Sequence, residues 1–175
     1  MVGARVFAFG MVAVALGCSS KPATKPIIEL GELTVRYDGN PIARLHADGR
    51  TESVGKNKPG KDAVFTAGPT LHADGTIDLP RRGLTARVTL DGEFVIGGAQ
   101  GSAHPSPRYG KITGAELVLE GAPTSGVRID GTTIETFQDG KRLDVLGEIE
   151  PPTMARTAVI LTAAFFIDNA DTTAK

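Results

Sequence analysis

Through most of the chain after Ile27, apolar residues fall on every second position. The stretch Leu84-Thr85-Ala86-Arg87-Val88-Thr89-Leu90 is the plainest case. In an extended segment its Leu, Ala and Val share one side, while Thr and Arg share the other. Asp-Gly dipeptides interrupt the alternation at Asp38-Gly39, Asp48-Gly49, Asp74-Gly75, Asp91-Gly92, Asp130-Gly131 and Asp139-Gly140. Asp accepts local backbone hydrogen bonds and Gly takes positive φ without a Cβ clash, so each dipeptide marks a hairpin. Keeping apolar faces together also predicts loop length. A three-residue loop Leu90-Asp91-Gly92 sets Val88 opposite Phe94 and Ala86 opposite Ile96; a two-residue loop would put Phe94 opposite Thr89. The same odd loop at Asp139-Gly140 places Phe137 on the face of Leu143, Val145 and Ile149. Both hairpins are therefore expected to turn through a type I turn with a Gly bulge.

The unit Leu45-His46-Ala47-Asp48-Gly49 recurs as Leu71-His72-Ala73-Asp74-Gly75, which reads as a repeated strand end and turn. Spacing between the other turns is irregular, so a strict solenoid or propeller is not supported. Two stretches leave the β pattern as loops, the basic Gly55–Asp62 and the Gly/Ser/Pro-rich Gly97–Gly110. A third, after Pro151-Pro152, predicts the one helix, at about 153–167. Its Ala158–Ile167 portion is apolar almost all round apart from Thr162, which implies burial, with packing on one face of the sheet expected and a membrane contact as the alternative. The fold class that follows is mainly β: antiparallel hairpins in a sheet, a sandwich or a partly open barrel, with one C-terminal helix. Alternation of period two does not choose among those three.

The first twenty residues behave differently. Arg5 is the sole charge before Lys21 and precedes an apolar run from Val6 to Leu16. Eleven residues of helix cover about 16 Å, roughly half a bilayer core, which suits an export signal and is too short to span. Small residues follow in the order Ala15-Leu16-Gly17-Cys18. This tetrad resembles the lipobox of bacterial lipoproteins, with Ala15 where the family favours Leu. The resemblance implies cleavage before Cys18, a diacylglycerol on its thiol and usually a third acyl chain on its amino group. Ser19, where Asp would favour inner-membrane retention in many Gram-negative lipoproteins, implies the outer membrane. An ordinary signal peptide with an incidental thiol is the alternative. The division expected is a leader at 1–17, a lipidated Cys18 with a Ser/Lys/Pro/Ala/Thr tether at 18–26, and a β-rich body at 27–175. Two or three acyl chains, at about 0.8 kcal/mol per buried CH₂, would hold such a body at a membrane almost irreversibly. The Asp-Gly hairpin units also resemble the bodies of some uncharacterised bacterial lipoproteins, a likeness that names no activity.

Composition narrows function mainly by exclusion. Among 175 residues, 19 Lys+Arg stand against 20 Asp+Glu, which lacks the basic excess of a nucleic-acid binder. Cys18 is the one cysteine, so no disulfide is available and the body must be stable in an oxidising compartment through packing alone. Gly55 to Lys61 fits the spacing of a phosphate-binding loop, but Asp62 stands where Ser or Thr would hold Mg²⁺, Pro59 removes a backbone N–H, and a strand is expected next. Gly97-Gly98-Ala99-Gln100-Gly101 likewise has no helix expected after it, so a dinucleotide site is not supported. His46, His72 and His104 lack close H-x-H or H-x₃-H partners, although imidazole is a common zinc ligand. Ser102 and His104 lie close in sequence, yet no G-x-S-x-G elbow surrounds the serine. No stacking platform for glycans or single strands is evident among the few aromatics, and the Phe residues are expected to fill the core.

The reading is a non-enzymatic, lipid-anchored envelope protein with a binding or structural role. No catalytic residue, cofactor or metal is assigned. Its expected partners are the membrane, through Cys18, and another envelope protein, with no nucleic acid. The rival is an envelope hydrolase or metal-dependent enzyme using Ser102 and His104 or the histidines. Carriage of an apolar ligand is a third class, and it needs a cavity that sequence does not reveal.

Overall fold

A computed structural model describes residues 25–54, 64–97 and 108–170. Twelve strands follow one another as antiparallel neighbours: β1 (Leu33–Tyr37), β2 (Asn40–Leu45), β3 (Arg50–Val54), β4 (Phe65–Leu71), β5 (Thr76–Leu79), β6 (Leu84–Val88), β7 (Glu93–Gly97), β8 (Arg108–Thr113), β9 (Glu116–Leu119), β10 (Ala122–Asp130), β11 (Thr133–Gln138) and β12 (Lys141–Glu150). β12 pairs back onto β1, with Val35 opposite Ile149, and the sheet closes into a barrel. Closure leaves no edge strand to be covered. A 3-10 turn at Pro152–Met154 then leads into α1 (Ala155–Asn169), which runs two residues beyond the expected end.

Alternation decides what each wall position faces. Leu33, Val35, Leu45, Leu71, Ile77, Val88, Phe94, Ile112, Leu117, Ile134 and Ile149 are buried in one apolar cluster. Positions between them carry Arg44, Glu52, Asp78, Arg87, Lys111 and Glu148, none of them buried. Apolar inside and charged outside is the reverse of a lipid-spanning barrel, whose outer band must be apolar. Among the described residues no helix is long and apolar enough to cross a membrane.

α1 fills the lumen and is not laid on one face, as the sequence led us to expect. It packs against β4 and β5 and also against β9 and β10. Three strands separate those walls on one side of the ring and five on the other, so the helix lies inside. Ala158, Val159, Ile160, Leu161, Ala163 and Ala164 are each 0% exposed, a belt that goes round the helix. A helix apolar all round needs apolar neighbours all round, and a flat sheet offers them on one side only. Thr162, the polar exception, donates its hydroxyl to the Ala158 carbonyl 2.8 Å away.

The Asp-Gly turns sort into two kinds. At Asp91-Gly92 the three-residue loop forms, with Val88 opposite Phe94 and Ala86 opposite Ile96. Both copies of the repeat close the same way: the His46 N–H donates to the Arg50 carbonyl and the His72 N–H to the Thr76 carbonyl, each at 2.9 Å. Asp139-Gly140 does not follow. Gln138 pairs with Lys141, and φ is 51° at Asp139 and 73° at Gly140, which makes a two-residue type I′ turn. The register corrects itself farther along, because Leu143 and Leu146 are extra residues in β12. Leu143 is consequently 64% exposed. Phe137 faces outward, opposite Gly126 on the side of Arg128 and Glu135, while Ile149 faces inward.

Residues 27–32 form no strand, contrary to the expectation that β pattern starts at Ile27. They make a strap across the barrel end that carries the repeated turns. The N–H groups of Ile27 and Ile28 both donate to the Ala73 carbonyl, at 2.9 and 3.3 Å, and Ile28 is 1% exposed. Thr157, in the first turn of α1, donates to the Glu29 carbonyl at 2.9 Å, which ties strap to helix.

Candidate functional site

Cys18, Ser102 and His104 lie outside the described residues, as do the whole basic loop Gly55–Asp62 and most of the Gly/Ser/Pro loop. That second loop is shorter than expected. Arg108, Tyr109 and Gly110 belong to β8, and Tyr109 packs on Phe94 with ring centroids 5.7 Å apart. Burial pushes the Tyr109 phenol above its ordinary value of 10.0. The segment 55–63 leads into strand β4, so a phosphate-loop reading lacks the helix N-terminus that would face the anion.

His46 and His72 hold equivalent places at the strap end. His46 sits between Glu32 and Glu52, 3.6 Å from Nδ1 to one and 3.7 Å from Nε2 to the other. His72 Nε2 lies 2.8 Å from an Asp78 carboxylate oxygen. Among the described residues no group of three His, Cys, Asp or Glu side chains is placed to hold a metal ion. Within the turns, the Asp48 and Asp74 carboxylates accept the backbone N–H of Arg50 and of Thr76, at 3.1 and 2.9 Å. Those bonds are the main cause holding both acids below their ordinary value of 3.8.

The expectation that Phe fills the core holds for Phe94 and, by burial, for Phe137, which is 6% exposed, and fails for Phe166. Phe94 is 0% exposed in the lumen. Phe65 carries the Arg44 guanidinium 4.2 Å above its ring, and Phe137 carries that of Arg128 at 5.2 Å. Arg128 also bonds Glu135 at 2.7 Å, and Glu135 is 2% exposed although it points outward. Together these groups form a satisfied ion pair over an aromatic ring, which stiffens the β10–β11 wall.

The feature that the sequence did not disclose lies at the barrel end opposite the strap. On the five-strand side of the ring, α1 leaves an open groove of about 810 Å³. Its wall is Val35, Ile42, Ala43, Val54, Ile134 and Leu146, and its helix side is Leu161, Thr162, Phe165 and Phe166. Ile42 is an extra residue in β2, between Ala43 opposite Val35 and Pro41 opposite Arg36. Gly68 of β4 lets the helix lean away from this wall: a Cβ there would collide with the Phe165 ring. Phe166, 44% exposed, stands at the opening.

The β5–β6 turn, Pro80-Arg81-Arg82-Gly83, fastens the helix end beside the groove. Arg81 donates its backbone N–H to Asp168 Oδ1 at 2.9 Å and its guanidinium to Asn169 Oδ1 and Thr66 Oγ1. Arg82 donates to the Ala170 carbonyl at 2.8 Å. Cationic side chains at the last carbonyls of a helix complement its dipole. Two adjacent arginines in a tight turn were the available sequence signal, but their partner lies 88 residues away.

No family model, curated protein or solved structure matches this chain.

Proposed function

We propose that this is a lipid-anchored protein of the bacterial envelope, held through Cys18 at the outer membrane, with a non-enzymatic binding or structural role. The observation that supports it is the polarity of the barrel. The chain from Cys18 joins the body at the strapped end, while the groove opens at the other. A tether at one end leaves the groove end free to meet a ligand or a second envelope protein. Charged side chains on the outer wall keep the body out of hydrocarbon, so attachment to a membrane requires a separate anchor. Lipid on Cys18 supplies one, and a single soluble body on two or three acyl chains stays bound.

Cys18→Ala tests the anchor. The natural product is expected in the membrane fraction, without residues 1–17 and with acyl mass on Cys18, and the variant in the soluble fraction without acyl label. A bare Cys18 in the intact mass of the natural product would overturn the reading.

A further inference from the structure

We propose that the groove between α1 and the β1–β3/β11–β12 wall binds a fatty acid, its chain along the helix and its carboxylate at Arg81. This deepens the binding role proposed above and does not depend on the anchor. At about 810 Å³ the groove falls within the roughly 300–1,000 Å³ that small-ligand sites occupy. From Leu161 to Ala170 it follows ten residues of chain, about 14 Å over the nine helical rises between them, which gives it the proportions of an extended aliphatic chain. The lining is apolar for most of that length, with Ser53, Thr162, Arg81 and Asn169 as the polar exceptions.

Charge selects the head group. Arg81 is the cation in the lining, and among the described residues no carboxylate lies within 4.0 Å of its guanidinium. Two of its side-chain N–H groups are used, by Asn169 and Thr66. A guanidinium has five, so donors remain for a bidentate carboxylate. The stretches of chain that leave the groove rim, Gly55-Lys-Asn-Lys-Pro-Gly-Lys-Asp-Ala63 and Asp171-Thr-Thr-Ala-Lys175, are polar and make poor fillers for an apolar slot.

Titration calorimetry decides the matter, on the full chain carrying Cys18→Ser so that no detergent competes. Laurate is expected to bind one to one in the micromolar range, and dodecanol about tenfold more weakly, one decade of Kd for the lost charge contact. Arg81→Gln should erase that difference and Arg81→Lys should restore most of it. Ser53→Leu and Ser53→Phe, which fill the groove from a half-buried lining position, should abolish binding of both ligands while the melting temperature holds. Absence of laurate binding, equal affinity for dodecanol, or binding that survives both filling variants would overturn the proposal. A negative result leaves the Cys18 reading standing, because acylation is scored separately by mass.

Discussion

Single residues here do work that their neighbours in sequence do not reveal. Gly39 and Gly75 both follow Asp and both take positive φ, 74° and 93°. Around Gly39 a Cβ would meet nothing within 4 Å; at Gly75 it would collide with the Val88 carbonyl oxygen. That closeness comes from pairing across the turn, for the Val88 N–H donates to the Gly75 carbonyl at 2.8 Å. Gly39→Ala should cost the roughly 1–2 kcal/mol of a left-handed backbone, and Gly75→Ala clearly more, read as urea midpoints at constant slope. The turn acids give a second prediction. Asp48 and Asp74 are held low by backbone N–H donors, so their contribution is complete above pH 3.8 and fades as pH falls through their lower folded values. Asp48→Asn with Asp74→Asn should therefore flatten the acid limb of the stability curve and leave its neutral region with little pH dependence from these sites. Stability measured from pH 2 to 7 checks it.

At the scale of elements, the helix and the hairpins followed local pattern to different depths. α1 is legible because Ala and Leu favour helix and Pro151-Pro152 bounds its start. Its energetic weight lies in the buried belt. Ile160 is 0% exposed, so Ile160→Ala should cost about 2–5 kcal/mol through lost burial and a cavity. Phe166 is 44% exposed at the groove mouth, and Phe166→Ala should stay within about 1 kcal/mol. Urea denaturation of the two variants, compared as midpoints at constant slope, checks the contrast. For hairpins, face-matching found the loop at Asp91-Gly92 because β6 and β7 pair without interruption. At Asp139-Gly140 face-matching predicts an odd loop where the turn has two residues, because bulges at Leu143 and Leu146 absorb the offset. A bulge has no composition of its own in this chain, so alternation alone misplaces it.

For the whole molecule, closure couples the strands that are farthest apart in sequence. Thr34 pairs with Glu150, and the helix that follows β12 returns through the ring which that pairing completes. Barrel and filling therefore form together: an empty lumen of this lining would expose Leu33, Leu45, Ile77 and Val88 to water. The helix touches two walls that divide the ring unequally, and the wider gap becomes the groove. The strap closes the other end with Ile28. One end sealed and the other grooved is a property of the assembly, and no segment carries it alone.

From sequence alone came the β class, the Asp-Gly hairpin positions, the repeated turn, and the helix with its apolar belt. Each depends on spacing within some ten residues, where backbone geometry ties pattern to structure directly. Closure of the sheet, the seat of the helix in the lumen, the bulges, and the meeting of Arg81 with Asn169 were settled by the tertiary structure. Period-two alternation states which side of a strand is apolar, yet it is silent on how the sheet curves and which distant strands meet. The groove belongs to that second group, since it exists only where a helix of one width lies in a ring of another.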